Sequence, residues 1–240
     1  MRETQSDAAA SNRSTVTAAI CWIFAGVVYL FAEAVTAAAF NHYSYSFNYI
    51  SDLGVPDIEM LGNRPIDSPL HLVINVAFVI QGLLFATAAL YAARSLKLPL
   101  RPGTISFACL HALGMVMIAV VNGGQHNNDL GLGWVHLLGA FFAFFGGHLT
   151  AICMGASLLL TRRSRRVGVF SVMIGAIGIL GIVMLQVDVR ALPGTLLPDG
   201  AWERIGMYAI VAWEMFIGAV LLGRQHRQSI PTGSPVGALG

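Results

Sequence analysis

The sequence predicts an all-α polytopic membrane protein, a bundle of six transmembrane helices with both termini in the cytoplasm. Three observations carry this. Of 240 residues, 56% are hydrophobic and only 11% charged, and the mean hydropathy is +0.69, too apolar for a surface that faces water. Six apolar windows follow one another, each long enough for a bilayer core about 30 Å thick at roughly 20 residues per helix. Lysine and arginine collect in alternate loops. A soluble enzyme, a disordered chain, a coiled coil and a disulfide-rich module are excluded, and the alternating pattern of a membrane β-barrel is absent.

The windows lie near 15 to 40, 70 to 93, 104 to 122, 134 to 160, 167 to 189 and 204 to 223. Prolines that a helix interior tolerates poorly separate them: Pro56, Pro65 and Pro69, then Pro99 and Pro102, then Pro193 and Pro198. Orientation follows from the basic residues. Arg2 and Arg13 precede the first span, Arg94, Lys97 and Arg101 follow the second, Arg162, Arg163, Arg165 and Arg166 follow the fourth, and Arg224 and Arg227 follow the sixth. On the opposite side Arg64 stands among Asp52, Asp57, Glu59 and Asp67, while Arg190 and Arg204 lie beside Asp188, Asp199 and Glu203. The expected organisation is a disordered tail over 1–14, a six-helix domain over 15–223 and a disordered tail over 224–240, in the plasma membrane. One competing reading takes residues 1 to 39, which end in Ala37-x-Ala39, as a cleavable signal peptide. Glu33 and the length of the apolar run speak against it.

A net charge of +2 gives no basic stripe for nucleic acid. Cys21, Cys109 and Cys153 lie inside apolar runs without a CxxC pair, so they read as small core residues. The fourth span carries Gly139, Ala143 and Gly147 at four-residue spacing, and the fifth carries Ser171, Gly175, Gly178 and Gly181. Small-residue stripes let helix backbones approach, so these two spans are expected to pack against each other along them.

After the first span the chain reads Ser51-Asp52-Leu53-Gly54, and the fourth span opens with His136-Leu137-Leu138-Gly139-Ala140. In these motifs the chain resembles the bacterial membrane family catalogued as domain of unknown function 998, over roughly residues 15 to 223. Asn122-Gly123-Gly124-Gln125 stands where that family usually has an aromatic-proline stretch. The resemblance implies about six helices and no established activity.

Ionisable residues inside spans are the strongest functional signal, because an unpaired charge there costs several kcal/mol. Glu33 and Glu214 qualify best, and Asp188 joins them on the Gly181 face of its helix. A carboxyl group at that depth is expected to be hard to ionise. These three acids are the candidate catalytic groups. The candidate substrate-binding groups are Asp52, which can also cap a short helix, Asn75, His111, His136, Phe145 and Trp213. Tyr43, Tyr45, Phe47 and Tyr49 alternate with polar residues, as an interfacial aromatic belt or a re-entrant cap would. The polar run from Asn122 to His136 matches no metal-ligand spacing, and no phosphate loop, dinucleotide fingerprint or nucleophilic triad is present, so neither metal nor cofactor is implied.

Two classes of function fit. In the first, a carboxylic acid in an apolar cavity donates a proton to a lipid or isoprenoid while aromatic rings hold the chain, as in small helical membrane terpene cyclases, a lyase or cyclase chemistry. In the second, the protein is a non-catalytic transporter, lipid-binding protein or scaffold whose acids clamp helices together. Nothing in the sequence sets an oligomeric state. The discriminating observation is whether Glu33, Asp188 and Glu214 converge on a lipid-sized cavity.

Overall fold

The computed structural model describes residues 2–191 and 196–229, and side chains over 10–191 and 196–227. Six long helices, each long and apolar enough to cross a membrane, form the body. They are α1 (Arg2–Ala39), α2 (His71–Ser95), α3 (Arg101–Val120), α5 (Gly133–Leu160), α6 (Arg165–Ala191) and α7 (Asp199–Ser229), with the short α4 (Gln125–Asp129) between α3 and α5. Helix α1 begins well ahead of its apolar run, and α7 continues past residue 224. The tail expected after that point lies, from residue 230 onward, outside the described residues, as does Pro193.

Each long helix packs against its neighbours in sequence, α1 on α2, α2 on α3, α3 on α5, α5 on α6 and α6 on α7, and α7 returns to α1. The bundle is therefore a closed ring, with α5 also touching α7 across its middle. Short, un-knotted connections between antiparallel neighbours make this the simplest route for a chain of alternating spans. Its rim faces outward with Phe24, Phe31, Leu72, Leu137 and Leu180, all more than half exposed. Apolar side chains with no protein partner along the spans are what a lipid solvent asks for. At the basic end the loops are tied together: Arg163 donates to the Leu96 carbonyl, and the Leu100 amide donates to Ser157 Oγ at 3.1 Å.

The small-residue stripes work differently from the expectation. Gly139 and Ala143 face α3, where a Cβ on Gly114 would strike the Gly139 carbonyl and the Ala143 amide. Only glycine admits that backbone approach. Helix α6 meets α5 on another face: a Cβ at Gly175 would fall 2.8 Å from Ile152, Gly178 abuts the His148 ring, and Gly168 lies against Gly155. The predicted contact of Gly139, Ala143 and Gly147 with Gly175 and Gly178 does not form. Helix α5 carries small residues on two faces and spends the Gly139 face on α3.

The loop over residues 40–70, at the end of the bundle opposite the basic loops, is a cap. It contains a 3-10 turn at Ser51–Gly54 and a two-stranded antiparallel hairpin, β1 (Glu59–Leu61) and β2 (Arg64–Ile66), in which Glu59 pairs with Ile66. Gly62, at φ +64°, supplies the left-handed residue of the tight turn. The cap is sewn to the helix ends by Ser68 Oγ donating to the Leu53 carbonyl at 2.6 Å, by Asn75 Nδ2 donating to the Gly54 carbonyl at 2.9 Å, and by the Ala201 amide donating to the Ser46 carbonyl at 3.0 Å.

Candidate functional site

Buried polar side chains gather at two depths. The outer layer lies beneath the cap and is built around Arg204, one turn into α7. Its guanidinium is 3.1 Å from Glu33 Oε1 on α1 and donates to the carbonyls of Tyr45 at 2.6 Å, Asn48 at 2.8 Å and Gly200 at 3.1 Å. It also donates to the Tyr43 hydroxyl and lies over the Tyr45 ring at 4.9 Å. Tyr208, one turn further along α7, donates to Glu33 Oε1 at 3.1 Å. Glu203 accepts the Ile50 amide. Arg204 is thus a clamp that joins α1, α7 and the cap, and a delocalised guanidinium with several donors suits that task better than lysine.

Beside it, Asp52 is buried and accepts from Asn48 Nδ2 at 3.2 Å, the Tyr49 amide at 3.1 Å, and both Arg64 Nε at 2.9 Å and Arg64 Nη2 at 3.3 Å. It holds the 3-10 turn and the hairpin in one piece. Tyr49 donates to Asp199 at 2.9 Å, and Arg64 lies over its ring. In the cap, burial drives the Tyr43 phenol well above the usual tyrosine range, against the opposing pull of Arg204, and burial together with the Asp199 carboxylate does the same to Tyr49. Burial would lower Arg64, but its hydrogen bonds to Asp52 overcome this and leave it raised.

The inner layer is smaller and carries no ion pair among the described residues. Glu214 is fully buried, and Gln81 of α2 is hydrogen-bonded to both its oxygens at 3.3 and 3.2 Å. Gln81 Oε1 faces His111 Nε2 of α3 at 3.0 Å, and His111 Nδ1 faces the Ala143 carbonyl of α5 at 2.6 Å. Aromatic rings seal it: Trp22 lies 5.3 Å from Trp213, and Phe85 lies 4.4 Å from His111. Trp213 donates its indole N–H to Ser171 at 3.0 Å.

The three candidate acids therefore do not converge. Glu33 is bound to Arg204 and Tyr208, Glu214 to Gln81, and Asp188, also fully buried, accepts from Trp202 Nε1 at 3.2 Å. A small, partly open pocket of about 40 Å³ is bordered by Tyr29, Ser51, Met115, His136, Glu203 and Met207, and by none of those three acids. At ~10 to 15 Å³ per ordered water it has room for a few waters and for no lipid. A wider groove of about 570 Å³ opens at the cap, past His42, Asn63, Arg64 and Asp199, and is likewise lined by none of the three acids.

Of the expected binding residues, Asp52 and Asn75 anchor the cap, and His111 and Trp213 belong to the inner layer. His136 borders the cavity with Nδ1 on the Val121 carbonyl at 2.8 Å. Phe145 is half-buried against Phe141, which is 51% exposed on the lipid-facing side. Arg204, Tyr208 and Gln81 escape a reading of the sequence by hydropathy. Arg204 counts as a loop cation when the sixth window starts at its own position, and a neutral amide at Gln81 raises no alarm in an apolar run. Among the described residues no group of three His, Cys, Asp or Glu is placed to hold a metal ion.

Ring closure, an exposed apolar rim and polar side chains bonded mostly to one another inside the bundle, with Glu33 Oε2, Asp188 Oδ1 and Arg204 Nε left without a hydrogen-bond partner among the described residues, together define a polytopic α-helical integral membrane protein. Its residues 13–220 match the model of a family described as "Protein of unknown function (DUF998)", and the chain belongs to that family. Neither curated proteins nor solved structures provide a match.

Proposed function

We propose that the protein is a non-catalytic scaffold of the cell membrane that holds a rigid cap on the outer face, with both termini in the cytoplasm. The observation that carries this reading is the separate engagement of the three acids. A proton-donating enzyme needs its acid within hydrogen-bond reach of the substrate, and here Glu33, Asp188 and Glu214 each face a different internal partner. The pocket beneath the cap, about 40 Å³, is far below the roughly 300 Å³ of a small-molecule pocket, and the groove of about 570 Å³ is lined by none of the three acids. The clamp, by contrast, joins the first and last helices to the cap. The basic loops support the orientation, since Lys and Arg favour the cytoplasmic side.

The test compares Glu33→Gln and Glu214→Gln with the parent protein in abundance, melting temperature and the product profile of lipid extracts. Unchanged lipid products from both variants are expected, with a lowered melting temperature for Glu33→Gln. Loss of a lipid product in either variant at unchanged melting temperature would restore acid catalysis. For orientation, a cysteine replacing Asn63 in a background without native cysteines should be labelled from outside intact cells, and one replacing Ser164 should not.

A further inference from the structure

The inner layer contains a hydrogen-counting problem whose solution locates a proton. As oriented, the Gln81 amide turns its oxygen to His111 Nε2 at 3.0 Å and its NH2 to Glu214 at 3.2 and 3.3 Å. The other imidazole nitrogen, Nδ1, faces the Ala143 carbonyl at 2.6 Å. Carbonyl oxygens only accept, so both ring nitrogens would have to donate, and His111 would be an imidazolium. Glu214, receiving N–H groups on both oxygens, would be the matching carboxylate. That arrangement separates two opposite charges by the length of an amide in a region sealed by Trp22, Phe85 and Trp213. Attraction across such a gap does not recover the desolvation of two ions.

Turning the Gln81 amide over removes the problem without moving any heavy-atom position beyond the exchange of N and O. Its NH2 then donates to an unprotonated Nε2, Nδ1–H donates to Ala143, and the amide oxygen accepts from Glu214. For that last bond Glu214 must carry a hydrogen. The atoms and the net charge are the same in the two arrangements, and only the second is free of buried ions. Among the described residues the surroundings supply no compensating charge: α1 offers Gly26, α2 Phe85, α5 Gly147 and its neighbour His148, and α7 Trp213. His148 is buried with Nε2 unpartnered among the described residues.

We infer that Glu214, Gln81 and His111 form an electrically neutral proton-holding site at mid-bundle, with the hydrogen on the Glu214 carboxyl, the Gln81 oxygen toward it, and His111 as the Nδ1–H tautomer. The chain Glu214 to Gln81 to His111 to the Ala143 carbonyl then runs in one donor direction across α7, α2, α3 and α5. The hydrogen positions are independent of whether the bundle is a scaffold or an enzyme.

The experiment uses the untagged full-length chain in detergent micelles with nitrogen-15 histidine. Above the ordinary histidine range of about 6.5, at a pH of ~8.5, exposed imidazoles are neutral, so an imidazolium signal surviving there would belong to a buried ring. None is expected from His111, and one that survives in the parent protein and is absent from a His111→Gln variant overturns the site. The second arm reads the infrared band of a protonated carboxyl group and its loss in Glu214→Gln. In the neutral arrangement the amide introduced by Glu214→Gln donates to the Gln81 oxygen as the acid did, so the variant should fold, lose the band and melt within a few degrees of the parent. A parent with no such band, or a Glu214→Gln variant that cannot fold, would overturn the site. Lipid products decide the proposed function separately and do not enter here.

Discussion

The two polar layers of this bundle solve the same problem with opposite chemistry. Beneath the cap, Glu33, Arg204, Asp52 and Arg64 are joined by ion pairs reinforced with backbone carbonyls and tyrosine hydroxyls. Near the middle, Glu214 meets a neutral amide, a histidine and the rings of Trp22, Phe85 and Trp213. The contrast follows from distance to water. At the membrane boundary a charge can be partly hydrated and matched by an opposite charge, and the Arg64 side chain is still 22% exposed. At mid-depth, hydrogen bonds between neutral groups cost less than ions. Position within the bilayer, more than residue type, decides what a buried glutamate does.

The sharpest way to break the contrast is Arg204→Leu. It leaves Glu33 without its cation and the cap carbonyls of Tyr45 and Asn48 without their donor, so a loss of about 3 to 5 kcal/mol is expected, read as a large fall in detergent melting temperature. The double variant with Glu33→Leu should recover part of that loss, and additive effects would show that the ion pair carries no coupling. Gln81→Leu comes next. It strips a partner from His111 and from Glu214 at once, at about 1 to 3 kcal/mol for each buried group left unmade. A neutral outcome would mean that the inner layer does not hold α2 to α7.

Asp52→Asn should cost less, about 1 to 2 kcal/mol, because the amide keeps some of the acceptor bonds and Arg64 reaches water. Its expected signature is local: faster proteolysis within residues 57 to 67 and an unchanged helical bundle. If the whole protein unfolds with the cap, the two layers are one cooperative unit. The mildest test is alkaline titration. Tyr43 and Tyr49 are raised in the fold, whereas an unfolded tyrosine ionises near about 10. The protonated phenols therefore contribute stability in full below about pH 10, and it is lost as pH climbs toward the folded values. Phenolate absorbance should lag the ordinary tyrosine curve for these two residues and appear as the cap opens. Ionisation of all six tyrosines near pH 10 with the cap intact would contradict the burial.

Much of the fold was legible because spans are written in composition. All six helices occur where apolar windows predicted them, and their order in space is their order in sequence. The site was legible only as a set of names. Glu33, Asp188 and Glu214 stood out as acids in apolar runs, but which partner each one faces depends on how the ring closes. Arg204 shows the cost: the sixth window opens on Arg204 itself and leaves out the turn before it, although α7 begins at Asp199. The glycines show it as well. Spacing identified a close-packing face on α5 and left open which neighbour would take it, and α3 did so through Gly114.

The pairing of Glu33 with Arg204 also bears on how the protein is made. Glu33 enters the bilayer with the first helix, while its cation arrives with the last, after every intervening span has been threaded. Until then the nascent chain carries an acid with no ionic partner, and an unpaired intramembrane acid is costly. A polypeptide stalled before α7 stays in that condition, open along the edges of α1 and α6 that α7 would cover. The Glu33–Arg204 pair therefore forms only when α7 packs against α1, so the contact that closes the ring is also the one that neutralises the acid of the first helix.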